Sequence, residues 1–63
     1  MKVIAYQFSE SEDMLIVDVK NYTAERQDKE GTILWRELFL NYDLLAKWVE
    51  SMIQEGKVYG SIV

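Results

Sequence analysis

The sequence predicts a single α+β domain over residues 1–63, in which a three-stranded antiparallel meander is followed by one amphipathic helix and a short C-terminal β segment (β-β-β-α-β). Three observations support this fold class. Segments rich in β-branched and aromatic residues alternate with polar clusters over residues 2–40, an apolar stripe at helical spacing covers residues 42–55, and no stretch has the composition of a linker or a repeat.

The first two predicted strands cover residues 2–8 and 14–24. The polar cluster at residues 9–13 indicates the turn between them. Successive side chains of a strand alternate between its two faces, and Ile16 lies on the face that we expect to point away from the core. The opposite face of this strand is apolar and carries Leu15, Val17 and Val19.

A second polar turn, at residues 26–31, leads into a third predicted strand over residues 32–40. Gly31 is expected to supply the positive φ that a tight reversal requires. The third strand has apolar residues on both faces, and only Arg36 and Glu37 interrupt them. Two apolar faces are typical of a central strand, or of one that a partner covers.

The predicted helix, residues 42–55, should be capped by Asn41 or Asp43, and Gly56 should end it in the left-handed conformation. Its apolar stripe consists of Leu44, Leu45, Trp48, Val49, Met52 and Ile53. This stripe is expected to cover the sheet face that carries Leu15, Val17, Val19 and Trp35.

Two features of the second half of the chain leave alternatives. Residues 32–55 also approach the spacing of one long helix, although the poor helix formers Asn41, Tyr42 and Asp43 favour a break. Residues 57–63 are β-prone and are expected to form a short last strand, on an edge or paired across a dimer.

The composition argues against catalysis and against a metal or other cofactor, because the chain has no histidine and no cysteine. Asp18 and Glu37 are the two carboxylates within otherwise apolar strands, and they would be neighbours if those strands paired. The simpler interpretation is that Asp18 with Lys20, and Glu37 with Arg36, are exposed positions able to form cross-strand ion pairs. We therefore expect a non-enzymatic protein.

The charge argues against a protein that binds phosphates or anionic lipids. Eleven acidic and seven basic residues give a net charge of −4. No apolar run approaches the roughly 20 residues that span a bilayer, and the N-terminus lacks a signal-peptide pattern, so a cytoplasmic location without a membrane segment is expected. The size also suits a phage or mobile-element protein.

The leading functional hypothesis is a regulator or adaptor that acts through protein–protein contacts as a homodimer. One helix cannot cover both sheet faces, and the surplus apolar residues of the second face predict a two-fold dimer that joins sheet faces or sheet edges. The alternative is a nucleic-acid-related role, either as an acidic mimic that inhibits a basic DNA- or RNA-binding protein or as a single-strand binder on a sheet platform. The candidate interface residues are Ile16, Tyr22, Leu34, Leu38, Tyr59 and Ile62.

Overall fold

The computed structural model describes residues 3–62, with side-chain surroundings for residues 3–60, and confirms the α+β class. Within that range five antiparallel strands form one sheet in the order β4-β3-β2-β1-β5, and one helix follows β4. The elements are β1 (Val3–Phe8), β2 (Met14–Asp18), β3 (Thr23–Gln27), β4 (Ile33–Leu38), α1 (Tyr42–Gln54) and β5 (Val58–Ile62).

The meander has four strands, so the predicted count of three was wrong. The predicted strand 14–24 is interrupted after Asp18, whose carboxylate accepts hydrogen bonds from the backbone N–H groups of Lys20 and Asn21. Tyr22 then adopts a positive φ of 58°, which reverses the chain into β3. β3 begins where the prediction ended a strand and extends into the segment that the prediction assigned to a turn.

The β3–β4 reversal is organised by Asp28 and Gly31, and the prediction for Gly31 is confirmed. The Asp28 carboxylate accepts hydrogen bonds from the N–H groups of Glu30 and Thr32, at 2.9 Å each. Gly31 has a φ of 89° and donates its N–H to the Asp28 carbonyl oxygen. Because L side chains rarely adopt this φ, glycine suits the position.

β4 is an edge strand, which excludes the first of its two predicted alternatives, a position at the centre of the sheet. Among the strands of residues 3–62 it pairs with β3 alone, and all six of its residues are exposed. β5 occupies the opposite edge beside β1. The alternative of one helix over residues 32–55 is also excluded, because the chain is extended through Leu38 and the helix begins at Tyr42.

α1 begins and ends as its sequence predicts. Asn41, one of the two predicted caps, accepts a hydrogen bond from the Leu44 N–H at its side-chain oxygen, at 3.0 Å. After the helix, Gly56 adopts a φ of 75° and donates its N–H to the Ile53 carbonyl oxygen. The N–H of Lys57 donates to the Met52 carbonyl oxygen, which completes a C-terminal capping pattern.

The core lies between α1 and one face of the sheet, as predicted. Trp35 also lies on the sheet face that α1 covers, where its ring packs edge-to-face against Trp48 of the helix. The buried side chains come from four of the five strands and from the helix: Phe8, Leu15, Val17, Ala24, Leu45, Val49 and Val58. The other sheet face, here called the open face, has no helix over it among the described residues.

Candidate interaction surface

The most conspicuous surface of the molecule runs along the outer edge of β4. We call it the edge surface and define it as residues 33–38 of β4 together with Leu40. Leu38 is 71% exposed and Leu40 is 84% exposed, the largest values among the exposed large hydrophobic residues. An exposed apolar edge strand offers both unpaired backbone groups and apolar side chains, and soluble proteins usually cover or blunt such an edge.

The edge surface is held rigidly by contacts on its inner side. Trp35 packs edge-to-face against Trp48 of α1, with ring centroids 6.0 Å apart, and Phe39 packs on the same indole at 5.4 Å. The N–H of Phe39 donates to the Tyr22 carbonyl oxygen at 2.8 Å, so the strand stays paired to its end. These contacts fix β4 as a preformed strand, and a partner would meet little entropic cost on binding there.

A bulge interrupts the β3–β4 pairing near the start of the strand. Trp35 pairs with Arg26, but the next position of β3, Gln27, pairs with Ile33, which leaves Leu34 as the extra residue. Bulges at edges locally disrupt the ladder. The regular part of the edge therefore begins at Trp35.

The edge surface carries no net charge in a chain whose net charge is −4. Its ionic residues are Arg36 and Glu37, one of each sign. The Arg36 guanidinium donates from Nε and Nη2 to Oε1 of Glu25 on β3, at 2.9 and 2.7 Å. Glu37 lies on the other face of the strand, opposite Ala24. Charge alone would therefore not repel an acidic partner from this edge.

The open face carries both polar and apolar side chains, and its charged side chains bind neighbouring polar groups. Glu25 accepts hydrogen bonds from Gln27 and Arg36, and these two contacts, the Gln27 amide first, hold the pKa of Glu25 below its ordinary value. Asn21 donates from its side-chain amide and its backbone N–H to Asp18, and these bonds lower the pKa of Asp18. A face whose polar groups are already satisfied offers few contacts to a ligand.

The six predicted interface residues do not form one patch. Leu34 and Leu38 lie on the edge surface, whereas Tyr59 is 59% exposed on β5 at the far edge of the sheet, opposite Gln7. Ile16 is half-buried on the open face, between Ala5 and Glu25 in register, and Tyr22 occupies the β2–β3 turn. The backbone of Ile62 pairs with Ala5, but its side chain lies outside the described residues.

Leu40 is an edge-surface residue that the sequence analysis missed. It ends the apolar run Leu38-Phe39-Leu40, which the prediction placed inside a strand with two buried faces. Only the half-buried Phe39 of this run packs on the helix. The sequence carried no signal for the exposure of Leu40, because an apolar residue directly before a helix cap often packs against the first turns of the helix.

The carboxylates Asp18 and Glu37 do not form a site. β3 lies between their strands, Asp18 pairs with Thr23, and Glu37 pairs with Ala24 and so points to the opposite face. The simpler expectation of local ion pairs was also wrong in its partners, because Arg36 pairs with Glu25.

An open groove of about 430 Å³ runs along one side of the helix. Its walls are mainly apolar and come from α1, β1, β2 and the residue after β2, including Ile4, Tyr6, Val19, Leu45 and Ile53. Glu50 is the one ionisable carboxylate among its lining residues. A single carboxylate on an apolar wall defines no reaction chemistry.

Across residues 3–62, no group of three acidic, histidine or cysteine side chains is placed to hold a metal ion. The described helix is too short to cross a membrane. No family model, curated protein or solved structure matches the chain.

Proposed function

We propose that this protein is a small non-enzymatic regulator or adaptor that works in the cytoplasm through protein–protein contacts and as a homodimer. The observation that supports the proposal is the edge surface: a complete six-residue strand, with every residue exposed, in which apolar side chains predominate. Backbone groups on the outer side of this strand have no partner strand within the part of the chain that the structure describes, and strand addition by another chain would satisfy them.

The edge is a better contact than the open face, which was the other route to a dimer. Two open faces stacked together would bury the charged side chains of Asp18, Glu25 and Arg36, and charges removed from water are costly unless fully paired. Pairing of two edges leaves those side chains exposed to water. It covers backbone groups and the leucines of the edge surface instead.

The nucleic-acid alternative receives little support from the described surfaces. The aromatic rings of Trp35, Phe39 and Trp48 pack together on the helix-covered side of the sheet, so they do not form a stacking platform. Arg36, a cation of the open face, is already bound by Glu25. A single-strand binder normally displays aromatic rings within a positively charged groove.

Sedimentation equilibrium over a wide concentration range tests the proposal. We expect a mass of twice 7.4 kDa at the upper end and dissociation on dilution. A mass of 7.4 kDa at every concentration, up to hundreds of micromolar as a rough ceiling for a weak specific contact, would rule out the homodimer.

Two variants at one position then test whether the edge backbone forms the contact. Leu38→Pro removes the N–H as well as the leucine side chain, whereas Leu38→Ala removes only the side chain beyond Cβ. Proline is tolerated on edge strands where the N–H faces solvent, so circular dichroism should show both variants folded. We expect the proline variant to dissociate more readily than the alanine variant. Equal dissociation would show that the edge backbone takes no part.

A further inference from the structure

The phase of the β3–β4 ladder shows which backbone groups of the edge surface are free to bind another strand. In an antiparallel ladder the N–H and C=O of one residue point to the same side, and successive residues alternate. Phe39 directs its N–H to Tyr22 of the neighbouring turn, at 2.8 Å. Arg36 and Leu38 therefore direct their backbone groups away from β3, whereas the chain bends at Leu40, after the end of the strand.

A second copy of the chain can pair its own β4 with these outward-facing backbone groups only in a few registers. Side chains directly opposite each other in an antiparallel pair lie on the same face of the sheet, whereas successive residues of one strand alternate between faces. In a symmetric pair of β4 strands one residue must therefore lie opposite its own copy, with the two-fold axis between the two. The bulge at Leu34 removes the first part of β4 from regular pairing. A centre at Trp35 would pair the bulged Leu34 with Arg36 of the second copy, so Arg36, Glu37 and Leu38 remain as possible centres.

Charge and exposure separate the three registers. In a register centred on Arg36 the two guanidinium groups face each other, and in a register centred on Glu37 the two carboxylates do. Like charges directly opposite each other are destabilising. A centre at Leu38 opposes no like charges. It places the 71% exposed Leu38 beside the Leu38 of the second copy, so that each leucine covers the other.

We infer that two copies of this chain join through β4 in antiparallel register centred on Leu38, which makes one continuous ten-stranded sheet with both helices on the same side. The inference rests on the proposed homodimer and adds its geometry. The neutral charge of the edge surface favours a second copy as occupant, since two chains of charge −4 meet where neither carries excess charge.

The absence of cysteine from the sequence makes the register directly measurable. In the proposed register the two Cα atoms of position 38 are about 5.5 Å apart, within the range of about 4.4 to 6.8 Å that a disulfide requires. The two copies of position 37 are offset by two residues and lie about 8 Å apart, and those of position 36 lie about 14 Å apart. Both separations are too long for a disulfide.

The experiment compares Leu38→Cys, Glu37→Cys and Arg36→Cys under mild oxidation, with Glu10→Cys in the exposed β1–β2 turn as the control for random collision. The mass of each reduced variant is measured first, so that only dimeric variants are compared. We expect Leu38→Cys to form the disulfide dimer roughly tenfold faster or more than the other three, since it alone meets the geometric requirement.

Other outcomes overturn the inference in distinguishable ways. Faster crosslinking of Glu37→Cys or Arg36→Cys would place the axis elsewhere and leave the proposed homodimer standing. Crosslinking of all variants at the rate of Glu10→Cys, with a dimeric mass for the unmodified chain, would show that the dimer does not use β4. A monomeric mass for the unmodified chain would overturn the inference together with the proposed function.

Discussion

Replacement of Leu38 by lysine should separate the two chains without unfolding either. Full burial of a leucine side chain contributes about 1.5–3 kcal/mol. Since 71% of the Leu38 surface is still exposed in one chain, its burial in the contact contributes about 1–2 kcal/mol. A symmetric dimer contains two such residues, so Leu38→Lys should weaken association by about 2–4 kcal/mol, or roughly 30-fold to 1000-fold in Kd.

The assay is sedimentation equilibrium of the variant beside Tyr59→Lys, a matched control in which an exposed apolar residue on the opposite edge receives the same charge. The control should associate like the unmodified chain. Both variants should keep their monomer stability within about 0.5 kcal/mol, as is usual for exposed positions. An unchanged Kd for Leu38→Lys, or an equal loss in Tyr59→Lys, would refute the assignment of the contact to the edge surface.

Three further predictions concern the fold that presents this edge. Leu45→Ala should lower the free energy of unfolding by about 2–5 kcal/mol in urea denaturation, because Leu45 is 1% exposed. Leu44→Ala, at a position that is 46% exposed, should lower it by less than about 1 kcal/mol. Equal losses would contradict the packing of α1. Asn41→Ala should cost about 0.5–2 kcal/mol and Asn41→Asp should retain most of that stability, since aspartate also accepts the capping hydrogen bond; two equal losses would show that the cap contributes little. The pKa of Glu25 is lower in the folded chain than in the unfolded chain, so its contribution to the free energy of unfolding is complete above its ordinary pKa of 4.5 and is lost as pH falls through the folded value. Stability measured during acid titration should therefore decline less steeply in Glu25→Gln than in the unmodified chain. Parallel declines would contradict the role of this carboxylate.

The sequence was sufficient to predict the fold class, the helix and one side of the core, because each rests on a local apolar period. The missed strand, β3, lacks such a period: Ala24 is its one buried residue. Arg26 occupies the next position on that face, with its guanidinium 3.9 Å from the ring centroid of Phe8 and its Nε 2.7 Å from the Asp13 carboxylate. A charged residue thus takes the place of an apolar one by stacking and ion pairing.

The position of β4 was left open by the sequence for a different physical reason. Apolar residues on both faces indicate that a strand is covered, but they do not say by what. Its position is fixed by two long-range facts: β3 lies between β2 and β4, and β5 occupies the free side of β1. Neither fact is encoded within residues 32–40. The candidate surface therefore became visible only when the sheet order was known, although Leu34 and Leu38 had been selected from the sequence.

Association through the edge should also appear in thermal stability. A chain of 63 residues has a small core, and a partner that binds only the folded state adds stability that grows with concentration. At a total chain concentration of a hundred times Kd only about 7 Kd of folded chain is free, so the gain is about 1.6 kcal/mol per chain, which for a domain of this size corresponds to a Tm increase of roughly 6–12 °C. Scanning calorimetry of the unmodified chain across that range should show the increase, whereas Leu38→Lys should keep the low-concentration Tm throughout. A constant Tm for both chains would mean that the exposed strand is stable without a partner, and the physical case for a second copy at this edge would be lost.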